Sequence, residues 1–340
     1  MRVAMYYNNS DVRLEEMPIP KIGPSEALFK VMACGICGSD VMEWYRIKKA
    51  PLVLGHEATG EIKEVGKDSK YKVGDRVFIT HHVPCGKCHY CQTGHHTACE
   101  TLHTTNYYPG GFAEYIRIPR INMERGVYPL PDDMSYEEGT FIEPLACVAR
   151  GQRMANVHKG DSVLIMGSGI SGLLHIQLAR ARGAGRIIAT DIDEYRTKTA
   201  KKFGADGVID ARKDVPSELL KLNDGRLADK VIVCTGATSA AMQALKCVDR
   251  GGTILFFAVP KPGVDLPIPI NDFWRDEITV MTSYGAAPND LEESLKLLAA
   301  RKINVKDMIT HRLPLEKAGE GFKLVAEAKE SIKVIIEPQR

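Results

Sequence analysis

Charge of one sign, long apolar runs and repeats are all missing from this 340-residue chain. Lys and Arg total 45 against 43 for Asp and Glu, a formal net charge of +2, and no basic run stands out. That balance argues against a nucleic-acid or anionic-membrane surface as the main partner. No uninterrupted apolar stretch approaches the length of a membrane span. Met1 to Pro20 carries scattered charges and no apolar core segment, so no secretory leader is expected. Neither an internal repeat nor a low-complexity segment is present, which excludes a solenoid. The length predicts two domains, each large enough to bury a core.

Cysteine, by contrast, is concentrated. Four of the nine cysteines, Cys85, Cys88, Cys91 and Cys99, form a C-x2-C-x2-C-x7-C run. Four thiolates this close are what a closed, tetrahedral structural zinc site needs. The segment around them (Gly86, Gly94, His95, His96, Thr97) has no helical or strand period. It has little apolar core of its own, so a metal is a means of holding it in one shape. Buried thiols or disulfides are the competing reading. Lys87 is the single basic residue within the run, which speaks against a nucleic-acid-binding zinc ribbon.

Up to about residue 148 the chain reads as short strands, among them Arg2–Tyr7, Ala27–Met32, Thr59–Val65 and Arg76–Ile79, divided by turns such as Gly23-Pro24 and Gly74-Asp75. Such spacing predicts an all-β barrel or sandwich. After Gly160-Asp161 strands and helices alternate. Strand Ser162–Met166 leads into helix Ile170–Arg182, with Ile170, Leu173, Leu174, Leu178 and Ala181 on one face. Further strands are expected at Arg186–Thr190, Gly207–Ile209, Lys230–Cys234, Thr253–Ala258 and Ile278–Thr282, with a helix over Ala240–Val248. The alternation predicts a parallel, doubly wound α/β sheet.

Gly167-Ser168-Gly169-Ile170-Ser171-Gly172 fits G-x-G-x-x-G between that first strand and helix. Gly167 permits the tight turn, Gly169 lets a pyrophosphate approach the backbone, and Gly172 allows helix to pack on strand. Ile170 opens the helix whose N-terminus would face the phosphates. Asp191 ends the second strand, where its carboxylate would accept from the adenosine ribose hydroxyls and repel a 2′-phosphate, favouring NAD(H). Arg196 on the next helix would cover that ribose or stand as a solvated charge.

Outside the four-cysteine run, Cys37 lies in Cys34-Gly35-Ile36-Cys37-Gly38-Ser39-Asp40, and His56-Glu57 follows Gly55. A thiolate, an imidazole and a carboxylate from separate segments are the ligand types of a catalytic zinc with one open position. With Cys37 added, five cysteines serve as metal ligands, and this usage predicts a reducing compartment, the cytoplasm.

These features, in this order and spacing, resemble the zinc-dependent medium-chain dehydrogenase/reductase family over essentially the whole chain. Glu143-Pro144-Leu145 and the tail Thr310–Lys317 look like its sorbitol/L-iditol (polyol) dehydrogenase branch. The resemblance implies a GroES-like β-barrel catalytic domain, residues 1–147 and 286–340 with a zinc lobe near 80–105, and an inserted Rossmann NAD-binding domain, residues 148–285. It implies two Zn²⁺ per chain and a homodimer or homotetramer. Cys37 and His56 match zinc ligands, Glu57 or Glu143 the third, and Ser39 the hydroxyl that passes on the substrate proton. The activity implied is reversible NAD-linked oxidation of a secondary hydroxyl to a ketose, zinc stabilising charge on oxygen. L-Threonine 3-dehydrogenase, secondary-alcohol dehydrogenase and keto-sugar-acid reductase are alternatives on the same scaffold. An amino-acid or sugar-acid substrate would require Arg46, Lys48 or Lys49 to point inward. Two positions depart from the pattern: Met42 stands where many relatives carry the outer relay histidine, and Ser283-Tyr284 where the sorbitol enzymes carry Arg-Tyr.

Overall fold

The computed structural model describes residues 1–340. The chain divides into two compact units, Met1–Pro144 with Ala286–Arg340, and Leu145–Gly285. The first division falls inside helix Ile142–Met154, slightly before the 147/148 boundary expected from the sequence. No helix is long and apolar enough to cross a membrane.

The first unit is built on a sheet whose central strand is Ala27–Gly35, flanked by Glu57–Val65, Tyr115–Ile118 and Lys333–Glu337, all antiparallel to it. Seven of the nine residues of Ala27–Gly35 are buried, so the strand reads as a nearly continuous apolar run. The C-terminal strand Lys333–Glu337 completes this sheet, pairing Ile335 with Gly35 and Ile336 with Cys34. The chain must therefore leave the unit and return before the sheet can close. A second, three-stranded sheet orders Asp11–Glu16, Arg2–Asn8 and Leu52–Val53. The unit's core includes Val3, Tyr6, Phe29, Phe112 and Phe322, all fully buried. Phe322 of helix Ala318–Glu327 meets the Tyr6 and Phe112 rings at centroid distances of 5.6 and 5.5 Å. Each such ring contributes about 1.5–3 kcal/mol by leaving water.

The second unit is a six-stranded parallel sheet. Across it lie Gly207–Asp210, Arg186–Asp191, Ser162–Met166, Ala228–Val233, Val248–Phe256 and Thr279–Thr282: third, second, first, fourth, fifth and sixth in chain order. The order reverses beside Ser162–Met166, where a doubly wound sheet opens its ligand crevice at the strands' C-terminal ends. Every residue of Ser162–Met166 is buried, as a central parallel strand covered on both faces requires. Helix Ile170–Ala181 is buried from Gly172 to Ala179 without a break, and Ala181 is exposed. It is thus enclosed more completely than a one-faced helix would be. The helix expected over Ala240–Val248 is Thr238–Ala244, and Val248 already belongs to the next strand. Between Gln243 and Lys246 and on to Val248 the residues stay mostly apolar with no Gly or Pro, so no turn signal marks the end of the helix in the sequence.

Candidate catalytic metal centre and cofactor turn

Cys37 follows the end of strand Ala27–Gly35, and Asp40 closes its loop. Cys37 N donates to Asp40 Oδ2 at 3.0 Å, and Asp40 N donates to Cys37 O at 3.0 Å. Asp40 Oδ1 also lies 3.3 Å from His56 Nδ1, so one buried carboxylate fixes both the loop and the imidazole. Burial works to raise the Asp40 carboxyl, but His56, Arg46 and the Cys37 N–H together hold it below its ordinary value. Ser39 donates to Cys37 Sγ from its backbone N at 3.4 Å and from Oγ at 3.5 Å, which fixes the position of the sulfur.

His56 and Glu57 enter from the start of strand Glu57–Val65, which pairs Glu57 with Gly35. Ligand atoms of Cys37, His56 and Glu57 all lie within 4.8 Å of one another. Glu57 is fully buried; its Oε2 accepts from the fully buried Lys333 Nζ, while Oε1 has no hydrogen-bond partner. A Cβ on Gly35 would fall 2.1 Å from Glu57 Oε2 and 2.6 Å from Lys333 Nζ, so only glycine leaves room for this pair. An orphaned buried carboxylate oxygen beside a thiolate and an imidazole is a donor set that calls for a cation. The residues fit a zinc ion with a fourth position open. Glu143, in the first turn of helix Ile142–Met154, is not part of this group of three. Its charge nevertheless reaches Tyr107, whose phenol is held well above its usual range by burial first, then by Cys34, Asp40, Glu143 and Glu57.

The four lobe cysteines form a second group within 4.8 Å. Cys88 Sγ lies 3.6 Å and Cys85 Sγ 4.0 Å from Cys91 Sγ. Those are non-bonded distances, close to the roughly 3.8 Å edge of a tetrahedron with 2.3 Å zinc–sulfur bonds. Backbone N–H groups of Lys87 and Cys88 point at Cys85 Sγ and pull its thiol below the ordinary value. Apart from the cysteines, the lobe's core cluster holds one buried residue, Leu102. It therefore depends on whatever joins the four sulfurs.

In the second unit, Gly167 adopts φ +98°, and Gly169 is the N-cap of helix Ile170–Ala181. A Cβ on Gly172 would fall 2.0 Å from Gly167 O. Gly172→Ala should therefore open the turn and weaken NADH binding, measured by nucleotide fluorescence, by at least about tenfold. Unchanged affinity would contradict this role. Asp191 Oδ2 accepts from Ser168 N at 2.8 Å and Oδ1 from Asp193 N at 3.0 Å, which brings the second strand's carboxylate onto the glycine turn. Arg196 Nη1 would stand 3.1 Å from a Cβ on Gly169, so its guanidinium lies over the turn rather than out in solvent.

Three residues of these sites carry no evident sequence signal for their roles. Asp40 reads as a turn residue, and its contact with His56 bridges separate segments. Lys333 heads an apolar strand and meets Glu57 from 276 residues away. Arg46 is one of three nearby basic residues, and nothing in the sequence says which turns inward.

Residues 23–132 match the alcohol dehydrogenase GroES-like domain, and residues 171–300 match the zinc-binding dehydrogenase family. Sorbitol dehydrogenase of Bacillus subtilis is 32% identical, covering 100% of this chain and 98% of its own. Sorbitol dehydrogenase of Mus musculus is 35% identical over 96% of this chain and 92% of its own. The crystal structure of galactitol-1-phosphate dehydrogenase from Escherichia coli superposes with a TM-score of 0.86 at 28% identity, covering 99% of both chains. With its GroES-like first unit and Rossmann-type second unit, the chain belongs to the zinc-dependent medium-chain dehydrogenase/reductase family, in its sorbitol dehydrogenase-like branch, as an oxidoreductase that acts on alcohols with zinc and NAD(H).

Proposed function

We propose that this protein oxidises a secondary hydroxyl of a polyol to the ketose, reversibly, with NAD as acceptor. The observation that carries the reading is the gathering of Cys37, His56 and the orphaned Glu57 oxygen at one point. Full-length similarity to sorbitol dehydrogenases, and fold similarity to a galactitol-1-phosphate enzyme, supports polyols over simple alcohols.

Cys37, His56 and Glu57 hold the catalytic zinc, and Cys85, Cys88, Cys91 and Cys99 the structural one. Bound there, zinc supplies the positive charge that stabilises negative charge on an alcohol oxygen, and NAD accepts the hydride. Asp40 orients His56, and Lys333 holds one oxygen of Glu57 so that the other faces the metal position. Ser39 Oγ, beside Cys37 Sγ, takes the substrate proton. Met42 offers no second acceptor, so the proton leaves Ser39 through water. Glu143 acts on the centre as an outlying carboxylate. Gly167, Gly169, Ile170 and Gly172 receive the pyrophosphate, and Asp191 and Arg196 the adenosine ribose.

The chain also self-associates on this reading. Strand Thr279–Thr282 ends its sheet with an unpaired edge, and the neighbouring helix Ile270–Arg275 exposes Ile270 (70%) and Trp274 (78%). Covering both with a second copy removes an edge that soluble proteins rarely leave bare. A monomeric mass by light scattering would contradict this. None of the nine cysteines forms a disulfide, in keeping with a reducing compartment such as the cytoplasm.

NAD reduction across hexitols, pentitols, inositols, aldonates, threonine and 2,3-butanediol tests the substrate class. A polyol should give the highest kcat/KM. Preference for threonine or butanediol over every polyol would overturn the reading.

A further inference from the structure

Of Arg46, Lys48 and Lys49, it is Arg46 that turns inward. It ends the short helix Glu43–Arg46, which follows directly on the Cys37–Asp40 loop. Its Nε donates to Ser39 O at 2.9 Å and its Nη2 to Ser39 Oγ at 3.1 Å. Nη2 also lies 3.6 Å from Asp40 Oδ1, and the side chain is 16% exposed. One edge of the guanidinium is thus occupied by Ser39, whose hydroxyl reaches Cys37 Sγ. Nη1 meets no protein acceptor. A guanidinium with one edge fixed and the other open is a preorganised fork for a carboxylate or phosphate.

The charges around it point the same way. Tyr45 has Arg46 Cζ 4.7 Å and Lys49 Nζ 5.9 Å from its ring centre, so a second cation stands nearby. Of the nearby carboxylates, Asp40 pairs with Arg46 itself, and Glu43 and Glu57 have further partners. Asp40 Oδ1 faces both His56 and Arg46 Nη2 and offsets part of the Arg46 charge, Glu43 accepts from Asn9 N at 3.1 Å, and Glu57 is paired with Lys333. His81 and His82 stack at 3.7 Å beside His56. Burial, reinforced by His56, His103, Arg46 and Lys49, pushes His82 down to about 4, so it is neutral at pH 7 and adds no charge of its own. Arg46, with an Nη1 that Asp40 does not reach, and Lys49 are the cations placed around Tyr45 beside Ser39.

We propose that Arg46 determines specificity by binding an anionic group, a carboxylate or a phosphate, on the polyol that this centre oxidises. The proposal rests on the polyol reading and narrows it to aldonates or polyol phosphates. The open Nη1 edge takes the anion, and Lys49 adds to its attraction. Because Arg46 also donates to Ser39 Oγ, three hydrogen bonds and the width of the guanidinium link the anion to Cys37 Sγ, so it binds on the same side of the centre as Ser39.

The test uses matched triads of one configuration: sorbitol, gluconate and sorbitol 6-phosphate, then the mannitol and galactitol sets. The zinc-loaded full-length enzyme should prefer one charged member over its neutral parent by about 10–100-fold in kcat/KM, the worth of a charge-assisted hydrogen bond. Which member wins separates the carboxylate from the phosphate. The preference should fall as salt rises. Arg46→Met should reduce the charged-to-neutral ratio by a similar factor, chiefly through KM, and Arg46→Lys should restore part of it. Lys49→Met should weaken the preference less. Zinc content of two per chain in each variant shows that the centre is intact. A merely structural Arg46 would lower kcat on all three members equally, and that result overturns the proposal. A neutral polyol preferred in every triad also overturns it, leaving the polyol reading in place. If no member of any triad is oxidised while 2,3-butanediol is, the polyol reading itself falls.

Discussion

Cys37→Ala should reduce NAD-linked alcohol oxidation by about 10³-fold or more, remove one zinc ion per chain, and leave the fold intact. The loss is large because the metal's charge stabilises the alcohol oxygen by several kcal/mol in the transition state. The fold survives because Cys37 sits in a loop closed by Asp40, not in the apolar core of the first unit. Cys88→Ala should do the reverse. Its sulfur is one of four in a lobe that buries one other core residue, Leu102, so losing it removes that lobe's metal and lowers thermal stability. Kinetics, metal analysis and melting on the two variants side by side check the division of labour. Full activity in Cys37→Ala would sink the mechanism, and an unchanged melt in Cys88→Ala would refute the structural role.

Lys333→Met should destabilise the zinc-free protein by about 3–5 kcal/mol, the usual consequence of leaving one member of a buried ion pair alone. Lys333 and Glu57 have side-chain exposures of 0% and 1%, so water cannot take over from the missing partner. The ammonium also lies 5.5 Å over the Phe141 ring and 3.5 Å from Ile36 O, contacts that methionine replaces only in part. In zinc-loaded protein the destabilisation should be smaller, since a cation beside Glu57 Oε1 supplies the missing charge. Chemical denaturation of both forms measures the difference. Equal losses with and without zinc would show that Glu57 does not face the metal.

Motifs confined to short stretches were readable without a structure. The glycine turn needs only neighbouring residues: Gly172 sits against Gly167 O, and the strand before and helix after are both periodic in sequence. The four-cysteine lobe is equally local. His56-Glu57 and Cys37 were readable as ligand types, but their convergence depends on the pairing of strand Ala27–Gly35 with Glu57–Val65. That Glu57 and not Glu143 stands within 4.8 Å of Cys37 and His56 was beyond the sequence, because it depends on how strand Glu57–Val65 pairs with Ala27–Gly35. Arg46 shows the same limit. A charge in a polar segment can face water or Ser39, and only the direction of the short helix Glu43–Arg46 decides. The course of the chain near Ala240–Val248 was obscured because no Gly, Pro or Asn separates the helix from the strand there.

Two zinc ions with different work are expected in this chain. Anomalous diffraction at the zinc edge tests this most directly. Two peaks per chain are predicted, one among Cys85, Cys88, Cys91 and Cys99, the other among Cys37, His56 and Glu57, and only the second should vanish in Cys37→Ala. A single peak, in the lobe, from fully active protein would contradict the account.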